Sequence, residues 1–312
     1  MSLPHASRII ARFVRQFKPG DLTGLLSHQV GRAIVDTVGV GIAGRHELAS
    51  NIMLRYAETL SGKENALAWG TGRQLPVQTC VLYNGVAAHV LDFDDVSSPL
   101  RGHPSIALLP PLLALGQARS LKTSQVTAAY VVGFEVMVRL ARAMVQDHYA
   151  KGWHATTTLG AIGAAVACSH LLGLDENQIV HSIGLAVAQA GGTRGNFGTM
   201  AKSFQTGQCG HAGMTACLLA QLGMDASEQA LDGDQGFTRL YGNHESLNDC
   251  LNGLGTDPFE LQSSGIEVKK YPMCYAAHRS LDGLLGLIKE HDLKAGDILS
   301  IHVTSNAQAF VT

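Results

Sequence analysis

The sequence has little charge and few aromatic side chains, and both shortages narrow the functions that it can serve. Only 15% of its 312 residues are charged, and the formal net charge is −2. A nucleic-acid-binding surface needs clustered lysine and arginine, which this composition does not provide. We therefore expect no nucleic-acid partner. Aromatic residues make up only 6%, whereas glycine occurs 35 times, a balance that favours helices packed with their backbones close together.

Long apolar runs are also missing. A membrane-spanning helix needs about 20 largely apolar residues, and the longest apolar window, residues 155–173, is interrupted by threonine, serine and histidine. This window predicts a buried core helix, and we expect no membrane partner. The N-terminus lacks the apolar core of a signal peptide, which favours a cytoplasmic protein. Residues 9–17 are basic and amphipathic, so a mitochondrial presequence is the alternative for a eukaryotic source.

The sequence lacks the motifs of several common enzyme classes. Its six cysteines form no CxxC pair and no zinc-ribbon spacing, which is typical of reduced, mostly buried thiols. There is no GxSxG of a serine hydrolase, no HExxH of a zinc protease and no GxxxxGK[ST] phosphate loop. These absences argue against a serine nucleophile and against a nucleotide cofactor.

Helical periodicity dominates most of the chain. Apolar residues at every fourth position from Leu26 to Ile42 predict a helix over residues 25–42. Proline is tolerated in the first turn of a helix, so Pro110 and Pro111 predict a helix that begins there. Further predicted helices cover residues 77–93, 123–145, 157–172, 176–190 and 208–222.

The pattern changes after a cluster of turn-forming residues at the end of the helical region. Beyond it, residues 265–270 and 298–304 predict strands, and residues 278–291 predict a helix between them. The predicted fold class is mainly α, with a large all-helical domain over residues 1–258 and a smaller α/β lid domain over residues 259–312. Two strands and one helix bury little surface. We therefore expect an incomplete lid, either because a partner completes it or because the chain is a fragment.

Proton-transfer chemistry concentrates between residues 84 and 105. Three aspartates, two histidines and one arginine fall within fifteen residues: His89, Asp92, Asp94, Asp95, Arg101 and His103. The apolar approach predicts a helix end, and the proline and glycine residues after it predict a loop. A helix end that delivers acids into a loop with arginine and histidine is typical of an active-site rim. An ordinary solvated helix end is the alternative.

Three later stretches add charged or titratable groups. His154 precedes a helix of small residues, where an anion can bind and a histidine can transfer protons. Arg194 and Lys202 are the only charged residues in a glycine-rich stretch and can pair with carboxylates. Lys269 precedes a Tyr-Pro turn and His278 at a predicted helix start. The alternatives are a capping histidine and solvated surface cations.

A set of short motifs runs in order through almost the whole chain. The set is Asn84-Gly85, His89, Leu91 to Asp95, His103 to Ser105, Gly152 to His154, Gly198 to Lys202, Lys269 to Pro272 and His278. It resembles the MmgE/PrpD family, whose members include 2-methylcitrate dehydratase, cis-aconitate decarboxylase and iminodisuccinate epimerase. The resemblance implies a helical domain and an α/β lid with the active site between them, usually in a homodimer.

The resemblance also implies site residues. The implied catalytic residues are His103, His154, Asp92 and Lys202, and the implied substrate-binding residues are Lys269, Arg101, Arg194 and His278. The family's substrates are small di- or tricarboxylates, so cations would hold the carboxylates. We expect His103 and His154 to share the proton transfers, because histidine titrates near neutrality, and Asp92 to fix a histidine tautomer. We expect Asp94 and Asp95 to be structural, and the resemblance implies no cofactor and no metal.

The main functional prediction is a cofactor-independent lyase, similar to 2-methylcitrate dehydratase, that acts on a small di- or tricarboxylate by α-proton abstraction. The alternatives are an epimerase or decarboxylase of the same family and a truncated, non-catalytic relative. Three departures from the family pattern argue against decarboxylation: Val96 stands where threonine is common, Gln205 near a common histidine, and Ala309 near a tyrosine of some decarboxylases. A metal hydrolase that uses the aspartate and histidine side chains as ligands is a further hypothesis.

Overall fold

The fold is mainly α-helical, as predicted. The computed structural model describes residues 5–242 and 247–304. Ala309, which was predicted to stand near a tyrosine of some decarboxylases, lies outside the described residues. The helices are α1 Ala6–Gln16, α2 Gly24–Ala43, α3 Leu48–Ala57, α4 Val77–His89, α5 Pro104–Ala118, α6 Thr123–Ala150, α7 Ala155–Leu171, α8 Glu176–Val187, α9 Met200–Gln221, α10 Phe237–Tyr241, α11 Leu247–Leu251, α12 Glu260–Ser263 and α13 His278–His291.

Two predicted helix starts are wrong. Helix α5 begins at Pro104, and Pro110 and Pro111 lie inside it. An interior proline removes a backbone hydrogen bond and costs about 3 kcal/mol or more in an exposed helix, but α5 is buried along most of its length, so apolar packing offsets that cost. Helix α9 begins at Met200, eight residues before the predicted start. Its first turns therefore carry Lys202 and Gln205.

The strand predictions are also wrong. The only sheet in the described residues is an antiparallel hairpin of β1 (Glu64–Ala68) and β2 (Arg73–Pro76), inside the domain predicted to be all-helical. Residues 298–304 form no strand, and residues 265–270 contribute one bridge, between Glu267 and Val96. Apolar alternation alone does not make a strand, because a strand also needs a partner for its backbone groups.

Helix α7 lies at the centre of the core. Every residue of α7 except His170 is buried, and α7 packs chiefly against α6 and α9. Small residues let these helices approach closely: a Cβ atom at Gly213 would lie 2.5 Å from the Cβ of Ala164. No helix among the described residues is both long and apolar enough to cross a membrane, which agrees with the prediction that residues 155–173 form a core helix.

The segment after α11 is anchored to this helical body. Phe259, Leu261 and Ile266 are buried in the same core cluster. The Glu260 carboxylate accepts two hydrogen bonds from the Arg142 guanidinium on α6, at 2.8 and 2.9 Å. This anchoring brings Lys269, a few residues further on, to the loop between α4 and α5.

Candidate active site

The loop between α4 and α5 carries Asp92 near its start and His103 at its end. Helix α4 ends at His89, and Asp92 adopts a left-handed conformation with φ of 49°. His103 is the N-cap residue of α5. The Asp95 carboxylate accepts hydrogen bonds from the backbone N–H of Ser105, at 3.2 Å, and from its hydroxyl group. Asp95 therefore caps α5, which confirms its predicted structural role.

Asp92 lies between two lysines. The Lys269 ammonium donates to the Asp92 carboxylate and to the Asp92 backbone carbonyl, both at 2.6 Å. The Lys202 Nζ atom lies 3.1 Å from the other carboxylate oxygen. Burial raises the pKa of Asp92, but His103, Lys269 and Lys202 outweigh it and lower that pKa to about 2. Asp92 is thus ionised at neutral pH, and three chain segments far apart in sequence meet at its side chain.

His103 presents its Nε2 atom to this group. Its Nδ1 atom lies 3.0 Å from the Asp95 carbonyl oxygen and 3.3 Å from an Asp94 carboxylate oxygen, and its Nε2 atom lies 3.7 Å from Asp92. A carbonyl oxygen can only accept, so Nδ1 carries the proton and Nε2 the lone pair. The expected tautomer-fixing role of Asp92 is therefore wrong, because Asp94 and Asp95 stand at Nδ1. Burial lowers the pKa of His103 to about 3.

His154 is oriented in the same way. It is the N-cap residue of α7, and its Nδ1 atom lies 2.9 Å from the Gln205 side-chain oxygen. The Gln205 amide group donates to the Thr193 carbonyl oxygen at 3.3 Å, which sets the orientation of the amide. His154 Nδ1 therefore donates, and Nε2 keeps its lone pair. Burial lowers the pKa of His154 to about 3, so both imidazoles are neutral near pH 7.

One residue of the site received no role from the sequence. His89, at the end of α4, packs its ring edge-on against His103 with centroids 4.8 Å apart, and its ring centroid lies 6.5 Å from that of His154. Its Nδ1 atom lies 2.9 Å from an Asp94 carboxylate oxygen. His89 belongs to the motif set, but only the structure shows that its ring lies near both candidate histidines.

The chain is similar in sequence to known proteins. The model of the MmgE/PrpD N-terminal domain matches residues 8–249. The chain belongs to the MmgE/PrpD family. It is 31% identical to a human cis-aconitate decarboxylase over 295 residues, which cover 93% of the chain and 61% of the relative. It is 30% identical to the mouse protein of that name, with 93% and 60% covered. It is 27% identical over 232 residues to an Aspergillus terreus cis-aconitate decarboxylase, with 70% and 47% covered.

The chain thus spans about three fifths of the length of its human and mouse relatives. Family membership confirms the resemblance on which the sequence prediction depended. The three relatives are named as decarboxylases, a class of lyase, which agrees better with the decarboxylase alternative than with the dehydratase prediction.

Three other predicted residues lie elsewhere in this MmgE/PrpD chain. The guanidinium carbons of Arg194 and Arg101 lie 3.9 and 5.7 Å from the centroid of the Tyr149 ring. Arg101 also donates to the Gln146 side chain at 2.8 Å. The buried His278 side chain donates from Nε2 to the Met273 carbonyl oxygen at 3.3 Å. The structure therefore brings together Asp92, His103, His154, Lys202 and Lys269, while Arg101 and Arg194 converge on Tyr149.

Four side chains of the site have the chemistry of metal ligands. One ligand atom from each of His89, Asp92, Asp94 and His103 lies within 4.8 Å of the others. Two ammonium groups already neutralise Asp92, and the Nδ1 protons of both histidines face Asp94. The two lysines thus supply positive charge next to Asp92, and the histidine N–H groups face Asp94 where a metal ion would otherwise bind. These contacts favour a site without metal, which stays a prediction.

Proposed function

We propose that this chain carries the acid–base site of a cofactor-independent decarboxylase that acts on a small unsaturated tricarboxylate such as cis-aconitate. The observation that carries this proposal is the Asp92 carboxylate held between Lys202 and Lys269, next to two imidazoles whose Nδ1 contacts leave the lone pair on Nε2. The relatives named as cis-aconitate decarboxylases support the substrate class. The proposal replaces dehydration as the leading prediction.

The lysines supply the positive charge that polycarboxylate binding needs. An ammonium group has three N–H donors, so Lys202 and Lys269 keep donors for substrate carboxylates while they hold Asp92. Lys269 is fully buried, and the Lys202 side chain is 19% exposed. Charge pairs weaken less with salt when they are shielded from water, so this pair of cations suits a multiply charged anion.

The imidazoles supply the proton. In a decarboxylation one C–C bond breaks, CO2 leaves, and the electron pair stays on the carbon skeleton until a proton neutralises it. His103 and His154 are neutral without substrate. Substrate carboxylates near Nε2 raise the imidazole pKa, so an imidazole takes up a proton on binding and delivers it to the carbanion. The neighbouring ammonium groups stabilise the charge that develops before this transfer.

Dehydration is the second candidate function, and two residues favour it. Val96 brings no hydroxyl group to the loop after Asp95, and it is held there by backbone hydrogen bonds with Glu267 at 2.8 and 2.9 Å. Gln205 stands near a position where the family often has histidine and holds His154. Both differ from the pattern expected of cis-aconitate decarboxylases. A dehydratase would use the same cations and imidazoles to remove an α-proton and expel water.

One assay separates these candidates. The protein is incubated in D2O with cis-aconitate, 2-methylcitrate, citrate or iminodisuccinate, and the reaction is followed by ¹H and ¹³C NMR. With ¹³C-labelled cis-aconitate we expect release of labelled CO2 and incorporation of deuterium into the product. Water loss from 2-methylcitrate without CO2 release would replace the decarboxylase proposal by the dehydratase. Neither turnover nor proton exchange with any of the four would favour the non-catalytic relative.

A further inference from the structure

Asp94 is a buried carboxylate shared between two imidazoles. It is 0% exposed, and its oxygens lie 2.9 and 3.0 Å from the Nδ1 atom of His89 and, for one of them, 3.3 Å from the Nδ1 atom of His103. Burial raises the pKa of Asp94, but His103 and His89 outweigh it and hold that pKa well below its usual range. An ionised carboxylate only accepts hydrogen bonds, so His89 Nδ1 donates to it. The His103 Nδ1–H group donates to the Asp95 carbonyl oxygen and lies within 3.3 Å of the Asp94 charge.

We propose that Asp94 and His89 are positioning residues that hold His103 with its Nε2 lone pair directed at the substrate. The proposal rests on the proposed function for its kinetic test only, since the tautomer of His103 is measured without substrate. Asp94, expected from the sequence to be merely structural, thereby acts on the reacting imidazole through its Nδ1 atom.

Among the described residues, the His89 side chain makes no hydrogen bond other than the one to Asp94. It is 1% exposed, and its Nε2 atom is buried without a hydrogen-bond partner there. A residue that only filled space would be more stable as an apolar side chain of similar volume, because a buried unpaired polar atom is destabilising. What the imidazole contributes is its Nδ1 donor to Asp94 and its edge-on contact with the His103 ring.

The Asp95 carbonyl oxygen, at 3.0 Å, already accepts from His103 Nδ1. What Asp94 adds is a full negative charge, which acts to raise the pKa of His103 against the effect of burial. The two contributions separate in Asp94→Asn. This change keeps the shape of the side chain but removes the charge and turns one acceptor into a donor, which competes with the Nδ1 protons.

The first test is the tautomer of His103, measured by long-range ¹H–¹⁵N NMR on protein labelled at histidine nitrogens. The His103 signals are those absent from His103→Gln. In the wild-type chain at pH 7 we expect protonated Nδ1 and unprotonated Nε2. In Asp94→Asn we expect a mixture of tautomers at His103. An unchanged His103 tautomer in this variant would overturn the proposal.

The second test is kinetic and uses substitutions at His89. The side-chain amide of His89→Asn can place a donor near the position of Nδ1, whereas His89→Leu removes it. We expect Asp94→Asn and His89→Leu to lose about tenfold or more in kcat with little change in KM, and His89→Asn to retain most activity. Equal losses in the Asn and Leu variants, or pH profiles identical to wild type, would contradict positioning.

His170→Asn is the matched control. Like His89, His170 is a helical histidine with an Nδ1 hydrogen bond, but it is half-buried and its partner is the Val14 backbone carbonyl oxygen. It lies 16 residues along α7 from His154, about 24 Å at 1.5 Å per residue, and should leave kcat unchanged. If His89→Leu does not fold, the isosteric Asp94→Asn decides the matter. If the wild-type chain turns over none of the polycarboxylates, the proposed function fails, while the NMR measurement still decides this proposal.

Discussion

At Asp92, burial and ion pairing act on one carboxylate in opposite directions. Burial raises the pKa of Asp92, but His103 and the two ammonium groups lower it by a larger amount, so the pKa is about 2. The histidines show the reverse case, because burial depresses the pKa of His103 and His154 to about 3. The site thus holds its acid charged and its bases neutral before substrate arrives, which are the protonation states that proton uptake on anion binding requires.

Because the pKa of His154 is lowered in the folded state, we expect the free energy of unfolding to depend on pH. Its folded-state pKa of about 3 lies below the unfolded value of 6.5, so the unfolded chain binds more protons between these values. The contribution of His154 is fully present above pH 6.5 and is lost as the pH falls towards 3. Urea unfolding of wild type and His154→Gln at several pH values should show wild type losing stability relative to the variant below pH 6.5. A constant difference would contradict the lowered pKa.

Among the elements, the contact of α4 with α9 positions the site. Helix α4 ends at His89, and the first turns of α9 carry Lys202 and Gln205. The two helices meet at glycines: a Cβ atom at Gly207 would lie 2.6 Å from the Leu82 carbonyl oxygen. Any side chain there would separate the helices and shift Lys202 relative to Asp92.

Gly207→Ala tests this contact. We expect a loss of about 1–3 kcal/mol in unfolding free energy, typical of overpacking, together with reduced activity because Lys202 moves. Gly31→Ala is the control: it lies in α2, where an added Cβ meets nothing within 4 Å, and should stabilise by up to about 1 kcal/mol. Thermal unfolding of both variants measures the effect. Equal stability of Gly207→Ala and wild type would contradict the close contact.

Secondary-structure elements could be predicted from the sequence better than the tertiary contacts between them. Helices such as α2 follow from apolar spacing, which is a local property. The β1–β2 hairpin was missed because its first strand, residues 64–68, contains residues that favour helices. Lys269 reaches Asp92 across 177 positions, a contact that no local pattern encodes and that only the family resemblance brought into one site. His89 and Asp94 received no catalytic part because their role depends on three-dimensional neighbours.

At the scale of the whole molecule, an apolar surface on α3 and α9 is a candidate interface for the predicted homodimer, which stays a prediction. Leu48, Ile52 and Tyr56 recur at every fourth position on α3 and are 64%, 44% and 49% exposed. Met200 and Phe204 on α9, which α3 contacts, are 49% and 46% exposed. Exposed apolar surface of this kind is typical of protein interfaces, and we propose that this face joins two copies.

Ile52→Glu tests the dimer face. A charge in a buried apolar interface is unfavourable, so light scattering after size exclusion should show a dimer for wild type and a monomer for the variant. Leu222→Glu is the control, because Leu222 follows the far end of α9 and is 84% exposed. Dissociation by both variants or by neither would contradict the assignment of the interface to α3.

The proposed site depends most directly on the two cations that flank Asp92. Lys269 is buried against Asp92, while its neighbour Lys270 is exposed and pairs with Asp282 at 2.7 Å. The decisive measurement is CO2 release from cis-aconitate by wild type, Lys269→Met and Lys270→Met. We expect Lys269→Met to lose about 100-fold or more in kcat/KM, as for removal of one charge-stabilising donor, and Lys270→Met to match wild type. Equal activity of the two variants would contradict the proposed site.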